Sequence, residues 1–482
     1  MYRRIMIIFF LLIIFIAGLI GYQWFMYDRV DGPSERLQNT NIQIDATLRH
    51  EKGQLLIKQS VSKLGQEIFL IQIPGAAQSF TCQLPDGEEC SINDEPPLKR
   101  LNVDNETMVT FSYSLPIDEN KKNSWMEDVF VQFFSNNQEE LPGDYCVTLS
   151  EGVDKTITWI SGALSEVQVN KEHLSYFAWT KTNTTTFPLF MTKTAIQKTD
   201  AYEPKISLFV ERVDAFESFT SWYEKLPDFT GLTIVQSDIN QVLVGPLLVV
   251  VPLDFSTNEI EEYAIQSYLL NYKKPESEAI DWVWNVLPSI VLNRPTGQGK
   301  EMEMSKELIE SLLPSEKEAF GFWLTQSDQE LQISLQELDS NLSNITNMKT
   351  LFFESNQDKN KPAVPLYYFD NRKIHYQNDE INGNWNAVQR NKLIHFPFIK
   401  TLESLEFTVK HFPESDLYLV IKGGNSWRFY LNETYFIYNQ EDYGLINRPL
   451  EVIDEDVYIS ERWIEELLKI EVIKRNDGIY LR

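Results

Sequence analysis

The residues able to do chemistry are few and widely spaced. Histidines stand at positions 50, 173, 375, 395 and 411, and no two lie within four residues of each other. A zinc ion held on a helix needs two imidazoles at i and i+4, so this spacing removes the sequence-local zinc signatures, although ligands can still assemble from distant segments. His395, at the end of an apolar strand, and His411, just after Val409, read as structural histidines. No Gly-x-Ser-x-Gly segment is present to build a nucleophile elbow, and the glycine-lysine loop that cradles phosphates is also missing. Gly297-Gln298-Gly299-Lys300 is a lone Gly-x-Gly and reads as a loop between helices. The acidic runs Asp454-Glu455-Asp456 and Asp379-Glu380 lack the alternating ligands of a calcium loop and read as solvated turns.

Three cysteines exclude a disulfide-dense scaffold and an all-cysteine zinc site. In TCQLPDGEEC the Pro85-Asp86-Gly87 loop would set Cys82 directly across from Cys90, with Gly87 supplying the left-handed turn residue. A pairing of Cys146 with either of the others, or three buried thiols, are the alternatives.

Charge and leader fix the expected compartment. The 482 residues carry a formal charge of −27 at 43% hydrophobic and 23% charged composition. Such a chain can bury ordinary cores, but it repels phosphate backbones, which excludes nucleic-acid binding as the main role. Residues 5–27 bear no charge, and as a helix they would span about 34 Å, enough for the hydrocarbon core of a bilayer. Arg3 and Arg4 precede the segment, while Asp28 and Arg29 cancel after it. The bias predicts a single-pass signal-anchor over residues 1–30, N-terminus cytoplasmic and all later domains extracytoplasmic. A cleaved signal peptide is the competing reading, disfavoured by the length of the run and the bulky residues after Ala17-Gly18.

Beyond the leader the pattern predicts an α+β multidomain chain. Residues 31–41 read as a polar linker. Residues 42–159 carry alternating strands such as IQIDATL and QLLIKQSV, and predict a β-sandwich. Residues 160–345 mix strands and helices: the apolar run Gly245–Asp254 reads as a buried strand, and Ser256 with Glu259 forms a capping box opening a helix. A second helix is expected after Pro275 with AIDWVWNVLPSIVL as its body, and a third capped by Ser315 and Glu318. Over residues 350–482 a shift of 63 residues lays FPFIKTLESLEFTVK (396–410) on ISERWIEELLKIEVI (459–473), each followed by a strand. Two tandem units of strands, one short helix and strands follow from that pattern.

The tandem units resemble the copper amine oxidase N-terminal (stalk) domain, through Pro397, Glu403, Leu405 and Val409 in the first and Arg462, Ile464, Glu466, Leu468 and Val472 in the second. Both depart from that family where its helix ends in Gly, having Glu406 and Lys469, and the second has Ser460 for the Pro. The resemblance implies an accessory module without copper chemistry. The middle region resembles a gluzincin, aminopeptidase-like metallopeptidase, whose zinc lies between HExxH on one helix and a Glu on the next. Placing WVWNVLPSI (282–290) on the second helix sets EYAIQ (262–266) on HExxH. That resemblance implies Glu262, Gln266 and Asn285 at the ligand positions and Tyr263 at the general-base position. None keeps the chemistry, since neutral carbonyls are poor zinc ligands and a phenol is no base near neutral pH. The competing reading packs the two helices simply as core through Trp282, Trp284, Tyr268 and Leu270.

The expected function is therefore a non-catalytic binding or scaffolding role at the cell envelope, a pseudopeptidase without cofactor. It would hold the membrane through one helix and meet a protein or cell-wall partner, which an acidic ectodomain would favour basic. An envelope metallopeptidase or other hydrolase with an unrecognised site is the alternative. A sensory ectodomain signalling through the leader is a third reading.

Overall fold

A computed structural model describes residues 41–482, apart from 65–67, 104–107, 139, 155, 163–164, 173, 200–204, 212–220, 226–230, 327–331, 378, 382–384, 455 and 476. The expected leader 1–30, nearly all of the linker 31–41, and His173 lie outside the described residues. Among the described residues no helix is long and apolar enough to cross a membrane.

Strand β1 (Ile42–Glu51) alternates buried and exposed side chains along its length. It is the central strand of a seven-stranded sheet. On one side it pairs antiparallel with β2 (Gln54–Ser62), and on the other it pairs parallel with β3 (Gly143–Glu151). A four-stranded sheet shares one core with it, in which Leu48, Ile57 and Phe111 meet Phe69, Leu101 and Phe133. The larger sheet does not end at residue 159. Ser165–Asn170 and Ser175–Thr184 extend it beyond β3, with Val147 opposite Trp179. Cys82 and Cys90 are joined by a disulfide, with the Cys90 amide donating to the Cys82 carbonyl at 3.2 Å and Gly87 at φ +90° in the turn. Cys146 is a free, exposed thiol.

The middle region is built on a five-stranded mixed sheet in which Leu232–Ser237 and Leu248–Pro252 are buried along their whole length. Such strands need cover on both faces. Ile260, Ala264, Ile265 and Tyr268 of helix α1 (Thr257–Leu270) cover one face, while Ile160, Phe190 and Phe209 pack with Val235 and Val250 on the other. Ser256 and Glu259 form the capping box at the start of α1. The expected continuous helix after Pro275 is instead a 3-10 helix, Glu278–Asn285, followed by a short α-helix, Pro288–Leu292. Pro288 has no amide to donate four residues back, so a regular α-helix cannot run through it. The third helix also starts earlier than the Ser315 cap would set it. It spans Pro314–Leu324 with Leu313 as its N-cap, and Glu316, not Glu318, accepts the cap amide. The middle core continues past 345, taking in Phe352, Phe353, Leu366 and Tyr368.

The C-terminal region carries an internal duplication element by element. In the first unit β4 (Ala387–Arg390) and β5 (Leu393–Pro397) lead into helix α2 (Phe398–Ser404), and in the second β6 (Leu450–Ile453) and β7 (Asp456–Ser460) lead into helix α3 (Glu461–Leu468). The hairpin registers match as well: Val388 faces His395, and 63 residues on Glu451 faces Tyr458. Strands β5 and β7 pair antiparallel with Phe396 opposite Ile459, which are themselves equivalent residues. A local twofold therefore passes through that pair. Phe398, Leu402, Leu405, Ile459, Ile464 and Leu468 make one shared core. After each helix the chain turns through a left-handed residue, Glu406 at φ 64° and Lys469 at φ 60°.

Candidate functional site

Helix α1 presents Glu262, Tyr263 and Gln266 half-buried along its length, and Asn285 ends the 3-10 helix that follows. The segment between that helix and the helix Lys300–Ser311 binds both Glu262 and Asn285. The Glu262 carboxylate accepts from Arg294 Nη1 at 2.5 Å and from the Gly297 amide at 3.4 Å. Arg294 also donates to the Asn258 carbonyl at 2.6 Å and lies 3.6 Å from buried Glu261, so its guanidinium is clamped along one turn of α1. Asn285 Nδ2 donates to Glu301 Oε1 at 3.1 Å, and its carbonyl accepts from the Thr296 hydroxyl at 2.8 Å.

Glu301 closes the arrangement. Its Oε1 also accepts from Lys359 Nζ at 2.9 Å, and its Oε2 accepts from the Gln298 amide at 3.2 Å. Gly297 sits at φ +77°, and a Cβ there would meet Glu301 Cβ at 2.5 Å, so only glycine fits this turn. Lys300 and Lys359 stand 5.5 and 5.8 Å from the ring centroid of Trp282. Burial, reinforced by the charges of Glu262, Glu301 and Glu259, pushes the Tyr263 phenol up, so it stays protonated and is no base.

The structure thus brings Glu262 and Asn285 to one segment, with Tyr263 beside the same charges. Gln266 lies one turn further along α1 than Glu262. Arg294, Glu301 and Lys359 complete the cluster and were not legible as site residues; the lone Gly-x-Gly was the only local signal. This arrangement does not fit a zinc ion: Glu262 is already neutralised by a guanidinium, the Asn285 amide is spent on Glu301, and Gln266 is neutral. Among the described residues no group of three or more His, Cys, Asp or Glu side chains is placed to hold a metal. What the cluster can do is lock two helices together through paired charges.

The other described histidines are mostly structural. His375 stacks on Tyr480 at 4.7 Å and His411 on Tyr418 at 4.1 Å. His395 is buried with Nδ1 3.2 Å from the Leu393 carbonyl, and burial holds its imidazole below the usual value despite the Glu451 carboxylate nearby.

No family model matches the chain, and no curated protein matches it. Solved structures similar to it are M1 zinc peptidases. A two-domain M1 zinc metallopeptidase bound to L-tryptophan aligns at TM-score 0.48 and 9% identity over 70% of this chain and 98% of its own. The M1 zinc metallopeptidase from Deinococcus radiodurans aligns at TM-score 0.45 and 8% identity over 64% and 91%. An aminopeptidase N family protein from Idiomarina loihiensis aligns at TM-score 0.36 and 10% identity over 52% and 54%. Likeness of this degree carries neither activity nor ligand across.

Proposed function

We propose that this chain is a membrane-anchored, extracytoplasmic pseudopeptidase with a non-catalytic binding or scaffolding role at the cell envelope. The observation that carries the reading is the guanidinium of Arg294 on Glu262, an ion pair standing where the gluzincin resemblance puts a zinc ligand. Asn285, at the third ligand position, is tied in the same way to Glu301 and through it to Lys359. A framework of this kind keeps two helices in place without a metal.

Location rests on the uncharged run 5–27 behind Arg3 and Arg4, and the Cys82–Cys90 disulfide suits an oxidising compartment. The duplicated C-terminal units support a stalk-type accessory module: Glu406 and Lys469, at the position of that family's helix-ending Gly, both adopt the backbone conformation Gly favours. The strongly acidic chain favours a basic partner.

The deciding experiment is metal analysis of the purified protein alongside an aminopeptidase and endopeptidase assay. Substoichiometric zinc and no hydrolysis are expected. Stoichiometric, tightly held zinc, or peptide cleavage that co-elutes with the chain at constant specific activity, would overturn the reading.

A further inference from the structure

Five strands, Thr408–Phe412, Leu417–Lys422, Asn425–Tyr430, Tyr435–Tyr438 and Glu441–Gly444, form an antiparallel meander in the C-terminal region. Alternation along each strand divides its side chains between two faces. Tyr418, Val420, Trp427, Phe429 and Phe436 belong to the shared core on one face. The other face is open, with Phe412 44%, Ile421 37% and Tyr435 36% exposed. Leu417, Leu419, Tyr430 and Ile437 lie half-buried between them. An apolar face of this kind marks an interaction surface.

The pairing registers set its residues in rows across the sheet. One row runs Lys410–Leu419–Arg428–Ile437–Asp442. The next runs Phe412–Leu417–Tyr430 and continues, through tyrosine rings 5.3 Å apart, to Tyr435–Gly444. Lys410 and Asp442, at opposite edges, are exposed and form no ion pair among the described residues.

Both rows complement themselves about the middle strand. A twofold axis along Asn425–Tyr430, lying between two stacked faces, lays each outermost strand over the opposite outermost strand of a second copy. Lys410 then falls over Asp442 of the second copy, Leu419 over Ile437, Leu417 over Tyr435, and bulky Phe412 over Gly444. Opposite charges and large-against-small side chains thus coincide under one operation, as a closed isologous contact requires. Arg428 and Tyr430, on the axis, meet their own copies, and the two guanidiniums oppose the contact. Four strand gaps of about 4.8 Å and five residues at about 3.4 Å make the face roughly 19 Å by 17 Å. Two copies then bury on the order of 800 Å² together, which is less than a stable complex needs and suits a weak, reversible one.

We propose that the open face of this meander is a self-association surface, on which a second copy of the chain stacks sheet on sheet as a weak twofold dimer. The contact uses the C-terminal region alone, so it stands independently of the pseudopeptidase reading.

The test is sedimentation velocity of the full chain from about 5 to 200 µM, held one copy per nanodisc so that residues 1–30 cannot pair the copies. A dissociation constant on the order of 100 µM is expected. Lys410→Glu sets like charges at both symmetric contacts and is expected to weaken association about tenfold. Adding Asp442→Lys to that variant is expected to restore it. Within one chain the two residues stand roughly 19 Å apart, beyond the screening length of about 8 Å at physiological salt, so restoration can arise only between copies. Arg428→Gln removes the repulsion on the axis and is expected to tighten association about threefold or more. All three positions are exposed, and thermal unfolding of each variant checks its fold. No association by about 200 µM, an undiminished dimer of Lys410→Glu, no recovery in the charge swap, or unchanged or weaker association of Arg428→Gln would overturn the proposal.

Discussion

Arg294 and Glu262 are joined by a 2.5 Å hydrogen bond in which the guanidinium also reaches the carbonyl of Asn258 and the carboxylate of Glu261. One side chain thus ties the loop before the helix Lys300–Ser311 to a full turn of α1. Glu261 is almost wholly buried, so removing the cation takes a positive charge from beside a buried carboxylate rather than simply deleting a surface contact. Arg294→Met is expected to cost about 2 kcal/mol, between the ranges for exposed and buried pairs. Urea denaturation reads the loss. Adding Glu262→Gln to that variant should recover part of it, and additive effects of the two changes would deny the coupling.

Glu406 and Lys469 each hold a left-handed backbone conformation with an exposed side chain. A non-glycine residue there carries a penalty of roughly 1 kcal/mol, offset in part by the greater freedom glycine has in the unfolded chain. Glu406→Gly and Lys469→Gly are each expected to stabilise by about 0.5 kcal/mol, and their effects should add because the sites lie on separate helix ends. Thermal unfolding of the single and double variants checks this. A destabilising Gly at either position would contradict the shared backbone state.

Lys181 is among the largest fully buried side chains, its ammonium reaching the carbonyls of Pro246 at 3.1 Å and Thr186 at 3.4 Å. Burial, with the positive charge of Lys274 added, lowers its pKa to about 7. The unfolded chain, near 10.5, binds the proton more tightly, so stability is lowest below pH 7 and rises as pH climbs from about 7 toward 10.5. Lys181→Met removes that dependence. The stability of the native protein relative to this variant should therefore increase by up to about 1.4 kcal/mol per pH unit across that window. Denaturant titrations at pH 6, 7, 8 and 9 read it, and a flat difference would refute the burial of the amine.

The Cys82–Cys90 bridge closes a loop with a sequence separation of 8. Chain-entropy bookkeeping for a loop of that size gives about 2.5 kcal/mol of stabilisation. Cys82→Ala with Cys90→Ala is expected to lower stability by about that amount. Alkylation without reductant should label Cys146 alone, and label at Cys82 or Cys90 in freshly purified protein would show the bridge unformed.

What could be read from the sequence was local. Gly87 in its turn announced the cysteine hairpin, Ser256 and Glu259 announced the start of α1, and the run at 245–254 announced a buried strand. The duplication was legible because Leu405 and Leu468, with the helices around them, recur at fixed spacing. Contacts set by distant pairing were not. Strands 165–170 and 175–184 read as part of a second domain because nothing in SYFAWTKTNT reports that Trp179 will face Val147. His50 looked like one isolated imidazole among five, since Glu151 reaches it only through the parallel register of β1 and β3. Arg294 carried no signal either, its partners lying a loop and a helix away.

The strand nearest the start of the described chain is also the middle of seven, flanked by hydrogen-bonded neighbours on both edges. Tension applied to the backbone ahead of Ile42 runs along that strand, where the antiparallel ladder to β2 stands perpendicular to it and the parallel ladder to β3 is slanted. Their bonds then share the load together in shear, on two sides of the strand where an outermost strand would have one. Force arriving at that end therefore meets two ladders rather than one.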